Sequence, residues 1–165
     1  MLFRSAEARA WPEAIEQLER AIRAADGDCP LRVLEQIANC RARLAADEAL
    51  AARRRGSAMD SAQAKAREER LQAVLDEFEP LCRRAPTVER LSLLGSTHKR
   101  HALVAASPAV RLKALDACAT AYRQAFEAGG SKDAYPFTNW ASTVLVAAHL
   151  DAARSGLEQI GRAHV

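Results

Sequence analysis

A chain of 165 residues is long enough to bury one substantial core, and its 24 basic and 21 acidic residues, interspersed to a net charge of +3, lack the one-sided charge of a nucleic-acid or membrane-surface protein. Thirty-seven alanines stand against seven glycines, six prolines and eight aromatics, a balance that favours helix throughout. β-Branched residues never alternate with polar ones over a strand's length, no apolar run reaches the roughly 18 residues of a spanning helix, and MLFRSAEARAW lacks the apolar stretch of a signal peptide, so the expected location is the cytoplasm. Cys29, Cys40, Cys82 and Cys118 form no C-x-x-C pair, and reduced, partly buried thiols are expected rather than disulfides or a zinc site.

In chain order, Pro12 opens a first helix whose Ile15, Leu18, Ala21 and Ile22 share one face, and the DGD that follows stops it. Pro30 begins a second, with Leu31, Leu34, Ile37, Ala38 and Leu44 in a stripe that runs until Gly56 and Ser57. RRRGS reads as an exposed loop. A third helix passes through MDSAQAKAREERLQAVLDEFEPLCRR and gains its apolar face from Leu71, Val74, Leu75 and Phe78. Thr87 is placed to cap a fourth, VERLSLLGSTHKRHALVAA, and Ser107 with Pro108 to start a fifth that Gly129 and Gly130 stop. A last pair is expected from YPFTNWASTVLVAAHL and DAARSGLEQ. Short connections between helices imply antiparallel neighbours.

The string IGRAHV at residues 160–165 matches the translation of a common short-read sequencing adapter. The expectation is therefore a helical array over residues 1–159, cut at both ends, with residues 160–165 a scar and Met1 an internal methionine.

Three stretches resemble the tetratricopeptide repeat, a helix–turn–helix unit that packs small residues against its neighbours. The second-helix pattern appears as Ala14, Leu18 and Ala21, and again as Cys118, Tyr122 and Ala125, with a cysteine for the small residue. The first-helix pattern appears as Leu91, Leu94, Gly95 and His98, with Trp140 and Ala141 as a close variant. Small residues recur where two helices cross too closely for larger ones, so Gly95 and Ala141 are the expected contact points. They lie 46 residues apart, against roughly 34 for the family's repeat, which leaves regular superhelix geometry open. PTVERLSLLGSTHKR followed by YPFTNWAS is also similar to helical regions that precede caspase-like CHAT protease domains in large bacterial proteins. No catalytic residue of such a protease can be placed on this chain.

STHKRH, residues 96–101, concentrates two of the four histidines with two cations. On a helix His98 lies seven residues after Leu91 and His101 seven after Leu94, so both continue the packing stripe while Lys99 and Arg100 point elsewhere. Histidines three apart can share a metal, but a zinc site needs further ligands and none lies within a turn. In a tetratricopeptide array the groove is lined by first-helix residues offset from that stripe. The resemblance thus implies Ser92, Ser96, Lys99 and Arg100 from one helix and Thr138, Asn139 and Ser142 from the next. Such a groove suits an acidic or C-terminal-carboxylate peptide, the alternative being a merely solvated face. ARRRGS has no aromatic platform beside it for nucleic acid, the nucleotide and hydrolase glycine motifs are absent, and Glu77 and Glu79, two apart on a helix, diverge.

The resulting expectation is an all-α array of antiparallel helix pairs, a tetratricopeptide-like α-solenoid that serves as a protein-interaction scaffold in a larger bacterial protein, without cofactor or metal and without catalysis of its own. The alternative is the regulatory segment of a CHAT-type protease or other signalling enzyme. An RNA-binding repeat would need a continuous basic face that the interspersed charges do not supply.

Overall fold

The propensities that favour helix are realised along the chain. In the computed structural model α1 spans Trp11–Ala24, α2 Leu31–Arg54, α3 Ser61–Arg84, α4 Val88–Val104, α5 Pro108–Ala128 and α6 Ala134–Ala163. The structure describes residues 10–26, 29–54 and 61–163, with side chains to residue 153, and there is no strand among the described residues.

The stop and start signals act as their chemistry dictates. The Thr87 hydroxyl accepts from the Arg90 backbone N–H at 3.1 Å to begin α4, and Ser107 accepts from Val110 N–H at 3.2 Å to begin α5, with Pro108 at its first position. At the end of α5, Gly129 N–H donates back to the Ala125 carbonyl at 3.1 Å, and Gly130 turns the chain through a left-handed φ of 67°. α1 ends on Asp26, itself left-handed, while Gly27, Asp28 and the RRRGS turn from Arg55 onward lie outside the described residues. The expected final pair is a single helix: Asp151 does not begin a new element, because neither glycine nor proline interrupts the chain between Pro136 and Ser155.

Each helix packs on the next, and α2 also packs on α4. The core forms where Leu71, Val74, Leu75, Phe78 and Cys82 of α3 meet Ala38, Ala42, Ala45 and Ala49 of α2 and Leu91 and Leu94 of α4. Burying one of these large side chains stabilises by about 1.5–3 kcal/mol, and the alanines opposite let the axes close. Gly95 works in the same way: a Cβ there would stand 2.7 Å from Tyr122 Cδ2, and Tyr122 is 1 % exposed. Leu91, Leu94, Gly95 and His98 are all buried, as are Cys118, Tyr122 and Ala125, so two of the three repeat-like stretches form the interior. The third is looser. Ile15, Leu18 and Ile22 of α1 are half-buried, and Ala21, expected on the same face, is exposed; among the described residues this helix packs mainly on α2.

One buried ion pair was not legible in the periodicity. Arg90 Nε donates to Glu35 Oε1 at 2.6 Å across 55 residues, and Arg90 Nη1 also donates to the Ala85 carbonyl. Both side chains are buried, so the pair ties the start of α4 to the start of α2. These two helices therefore run in the same direction, as alternate members of an up-and-down array do.

Candidate functional site

Helices α2, α4, α5 and α6 each contribute to one cleft of the array, and of the expected groove residues Lys99 and Ser142 line it. Lys99 is exposed and its Nζ donates to Asn139 Oδ1 at 3.1 Å, joining α4 to α6. Asn139 Nδ2 donates to the Tyr135 carbonyl, Thr138 Oγ1 to the Ala134 carbonyl and Ser142 Oγ to the Thr138 carbonyl. These hydroxyls and this amide are thus partly occupied by their own helix. Ser96 is half-buried and shares a 2.7 Å hydrogen bond with the Tyr122 hydroxyl. Ser92 departs from the expectation, since its side chain is buried.

Beside Lys99 lies a cleft of about 410 Å³. Its floor is Ala102, Leu103, Leu115, Val146 and Leu150, and Arg53, Lys99 and Arg111 bring cations to its edge. Among the described residues the lining holds no carboxylate. Leu103 and Val146 remain substantially exposed, and Leu145 beside them is 72 % exposed. Arg53, Leu103, Arg111 and Val146 were invisible to a sequence pattern built on the polar residues of two helices; the apolar excess in STVLVAAHL, more than one packing stripe requires, is the signal that would have found Val146.

Toward the N-terminal end of α4 the same face becomes polar. Arg100 is half-buried, and its Nη1 is shut off from solvent with no hydrogen-bond partner among the described residues. Burial pulls its pKa below the usual arginine value, and the neighbouring Arg43 of α2 pulls in the same direction. Arg43 itself lies 5.1 Å over the Trp11 ring, and Trp11 Nε1 donates to Asp47 Oδ2 at 3.0 Å. Tyr135 stands edge-on to Tyr122 at 6.1 Å between centroids. Burial raises the pKa of the Tyr135 hydroxyl, but hydrogen bonds from Ser96 and Tyr122 and the charges of Lys99 and Arg100 outweigh that and lower it.

The histidines face the opposite way. His98 and His101 are both buried, and with Glu68, Gln72, Glu79 and Lys113 they line a separate hollow of about 450 Å³ between α3, α4 and α5. His98 Nε2 lies 3.5 Å from Glu79 Oε1, which would favour the imidazolium. Burial and the neighbouring His101 nevertheless lower the His98 pKa to about 4, since the Glu79 carboxylate is shared with Arg83 and with solvent. The carboxylates come from α3, which spacing along α4 cannot reveal. No group of three or more His, Cys, Asp or Glu among the described residues is arranged to hold a metal ion.

Elsewhere the side chains have structural partners. Cys40, Cys82 and Cys118 are buried free thiols, Cys29 is half-buried, and burial pushes Cys82 up to about 11, far from a reactive thiolate. Glu77 accepts from Arg41 and Glu79 pairs with Arg83, so the two diverge as their spacing requires. Arg53 and Arg54 are exposed at the end of α2. No helix among the described residues is long and apolar enough to cross a membrane.

Neither the curated proteins nor the solved structures hold a match to this chain. A family model described as Tetratricopeptide Repeats-Sensor matches residues 10–145, which takes in α1 to α5 and α6 as far as Leu145. The all-helical array, the Gly95–Tyr122 crossing and that match agree: the chain belongs to the tetratricopeptide repeats-sensor family.

Proposed function

We propose that the chain is a protein-interaction module that docks an acidic segment of its partner in the cleft to which α2, α4, α5 and α6 contribute. The carrying observation is the cleft beside Lys99. Apolar walls bounded by Arg53, Lys99 and Arg111, with no carboxylate among the described lining residues, suit a segment that offers an apolar side chain flanked by acidic ones. Tetratricopeptide arrays generally mediate contacts between proteins, and helical repeats of this kind are typically not catalytic. The family's description as a sensor, together with the likeness to regions that precede CHAT protease domains, supports a regulatory setting in a larger bacterial protein.

The test is fluorescence anisotropy with a labelled peptide series of one length, acidic, neutral and basic, each with and without a central leucine. The acidic, leucine-bearing peptide is expected to bind tightest. Reversing charge at Arg53→Glu together with Lys99→Glu should remove that preference while the helical circular dichroism stays unchanged, because both side chains are exposed. Equal binding of acidic and basic peptides would overturn the reading.

A further inference from the structure

Two neighbours of α4 approach it differently. α2 packs directly on it, whereas α6 rests on α5 and meets α4 only lightly, at contacts such as the Lys99–Asn139 hydrogen bond. The cleft beside Lys99 opens in that gap, lined by Ala102 and Leu103 of α4, Leu115 of α5 and Ser142, Val146 and Leu150 of α6. The α6 residues recur every fourth position, so this edge of the cleft runs for about 12 Å, two helical turns. An apolar space of about 150 Å³ holds one benzene-sized group, so the cleft of about 410 Å³ has room for roughly two to three leucine-sized side chains.

What backbone conformation fits there follows from the groups the walls offer. Adding a strand needs a sheet edge, and there is no strand among the described residues. A polyproline segment docks on aromatic rings, and no aromatic is among the described lining residues. Every lining residue lies beyond the first turn of its helix, so its backbone N–H is already spent; Arg111 N–H, for instance, donates to the Ser107 carbonyl. The wall hydroxyls are engaged too, Ser142 Oγ donating to the Thr138 carbonyl at 2.6 Å and Thr143 Oγ1 to the Asn139 carbonyl at 2.7 Å. An extended guest would press its own N–H and C=O groups against leucine and valine without partners, whereas a helix pairs those groups within itself. We propose that the cleft takes an acidic amphipathic helix of the partner, laid along α6 with its apolar stripe on Leu103, Leu115 and Val146. Its carboxylates flank that stripe and meet Arg53, Lys99 and Arg111, which come from three different helices around the apolar floor. The proposal rests on the acidic-segment reading above and deepens it.

The experiment uses the whole chain and three labelled acidic peptides of one length, with leucines spaced to share one face of a helix. One is unmodified, one is held helical by a lactam bridge on the opposite face, and one has a central residue replaced by proline. The bridged peptide should bind wild-type protein tightest, because its ordering is already complete. The proline peptide should bind about a hundredfold more weakly than the unmodified one, the cost of proline inside a helix. The unmodified peptide, labelled with carbon-13, should acquire helical Cα chemical shifts when bound. Val146→Glu sets a carboxylate at a half-exposed point of the floor and should abolish binding of the bridged peptide while the helical circular dichroism stays unchanged. The comparison among peptides is made on wild-type protein and holds whether or not that variant folds. Equal binding of all three peptides, or extended shifts in the bound one, overturns the helix and leaves the acidic-segment reading standing. If none of the three binds, both readings fall. A dimer in sedimentation velocity that Val146→Glu removes would assign the cleft to a second copy, against the proposal.

Discussion

Helix α4 carries four ionisable side chains in a row, His98, Lys99, Arg100 and His101, and the fold divides them between two faces with opposite outcomes. The histidines turn toward α3 and α5, where burial lowers the pKa of both and keeps the imidazoles neutral. Lys99 and Arg100 turn toward α2 and α6, where the positive charge is retained: Lys99 in solvent beside Asn139, Arg100 half out of solvent beside Arg43. A titratable group on the packing face can shed its charge, and an arginine cannot. The histidine face therefore contributes to stability through neutral packing, while the Lys99–Arg100 face stays partly open to solvent.

The sharpest way to break this comparison is at Arg90, the buried cation of α4 that does have a carboxylate. If partners decide what burial costs, Arg90→Ala should destabilise by about 3–5 kcal/mol, because it leaves Glu35 charged and enclosed. Urea denaturation measures this as a lower midpoint at constant slope. The double variant Glu35→Met with Arg90→Met should recover most of the loss, and a single variant as stable as wild type would remove the basis of the comparison.

Acidification tests the histidine face. His98 titrates near 4 in the fold and at about 6.5 in the unfolded chain, so between those values the unfolded chain holds a proton that the fold does not. The stability is fully present above pH 6.5 and falls as the pH drops toward 4, by roughly 3 kcal/mol at most from this group. His101, also lowered, acts in the same direction. The groups facing the pair from α3 and α5 are Glu68, Glu79 and Lys113. His98→Phe, which restores the aromatic that the repeat pattern carries here, should flatten most of the slope in thermal melts taken from pH 7 to 4. A slope that survives would place the acid sensitivity elsewhere.

The smallest effect separates packing from charge. Gly95→Ala drives a Cβ against a Tyr122 ring that has no room to withdraw, and should cost about 1–3 kcal/mol in the melting curve. Because Tyr122 shares a hydrogen bond with Ser96, the same variant should disturb the Tyr135 side of the groove. A Gly95→Ala protein with unchanged melting would mean that this crossing is looser than the 2.7 Å approach implies.

Much of the fold was legible before any coordinates. Caps at Thr87 and Ser107, stops at Gly129 and Gly130, and the stripe through Leu71, Val74, Leu75 and Phe78 are local chemistry, which a sequence states directly. That His98 and His101 pack inward while Lys99 and Arg100 point elsewhere followed from helical period alone. The candidate site was legible only in part. Of the expected residues Lys99 and Ser142 line the cleft, whereas Ser92 is buried and the cleft draws Arg53, Leu103, Arg111 and Val146 from places that no single helix pattern joins.

By itself the sequence determined that the chain is helical, where most helices begin and end, and which face of each is apolar, because these depend on residues within a few positions of one another. Tertiary structure decided which charges have partners. Glu35 reaches Arg90 across 55 residues, and Arg41 reaches Glu77 across 36, only because α2 packs on α4 and on α3. Whether a buried charge is satisfied depends on what a distant helix brings within about 4 Å, and helical period carries no information about that distance.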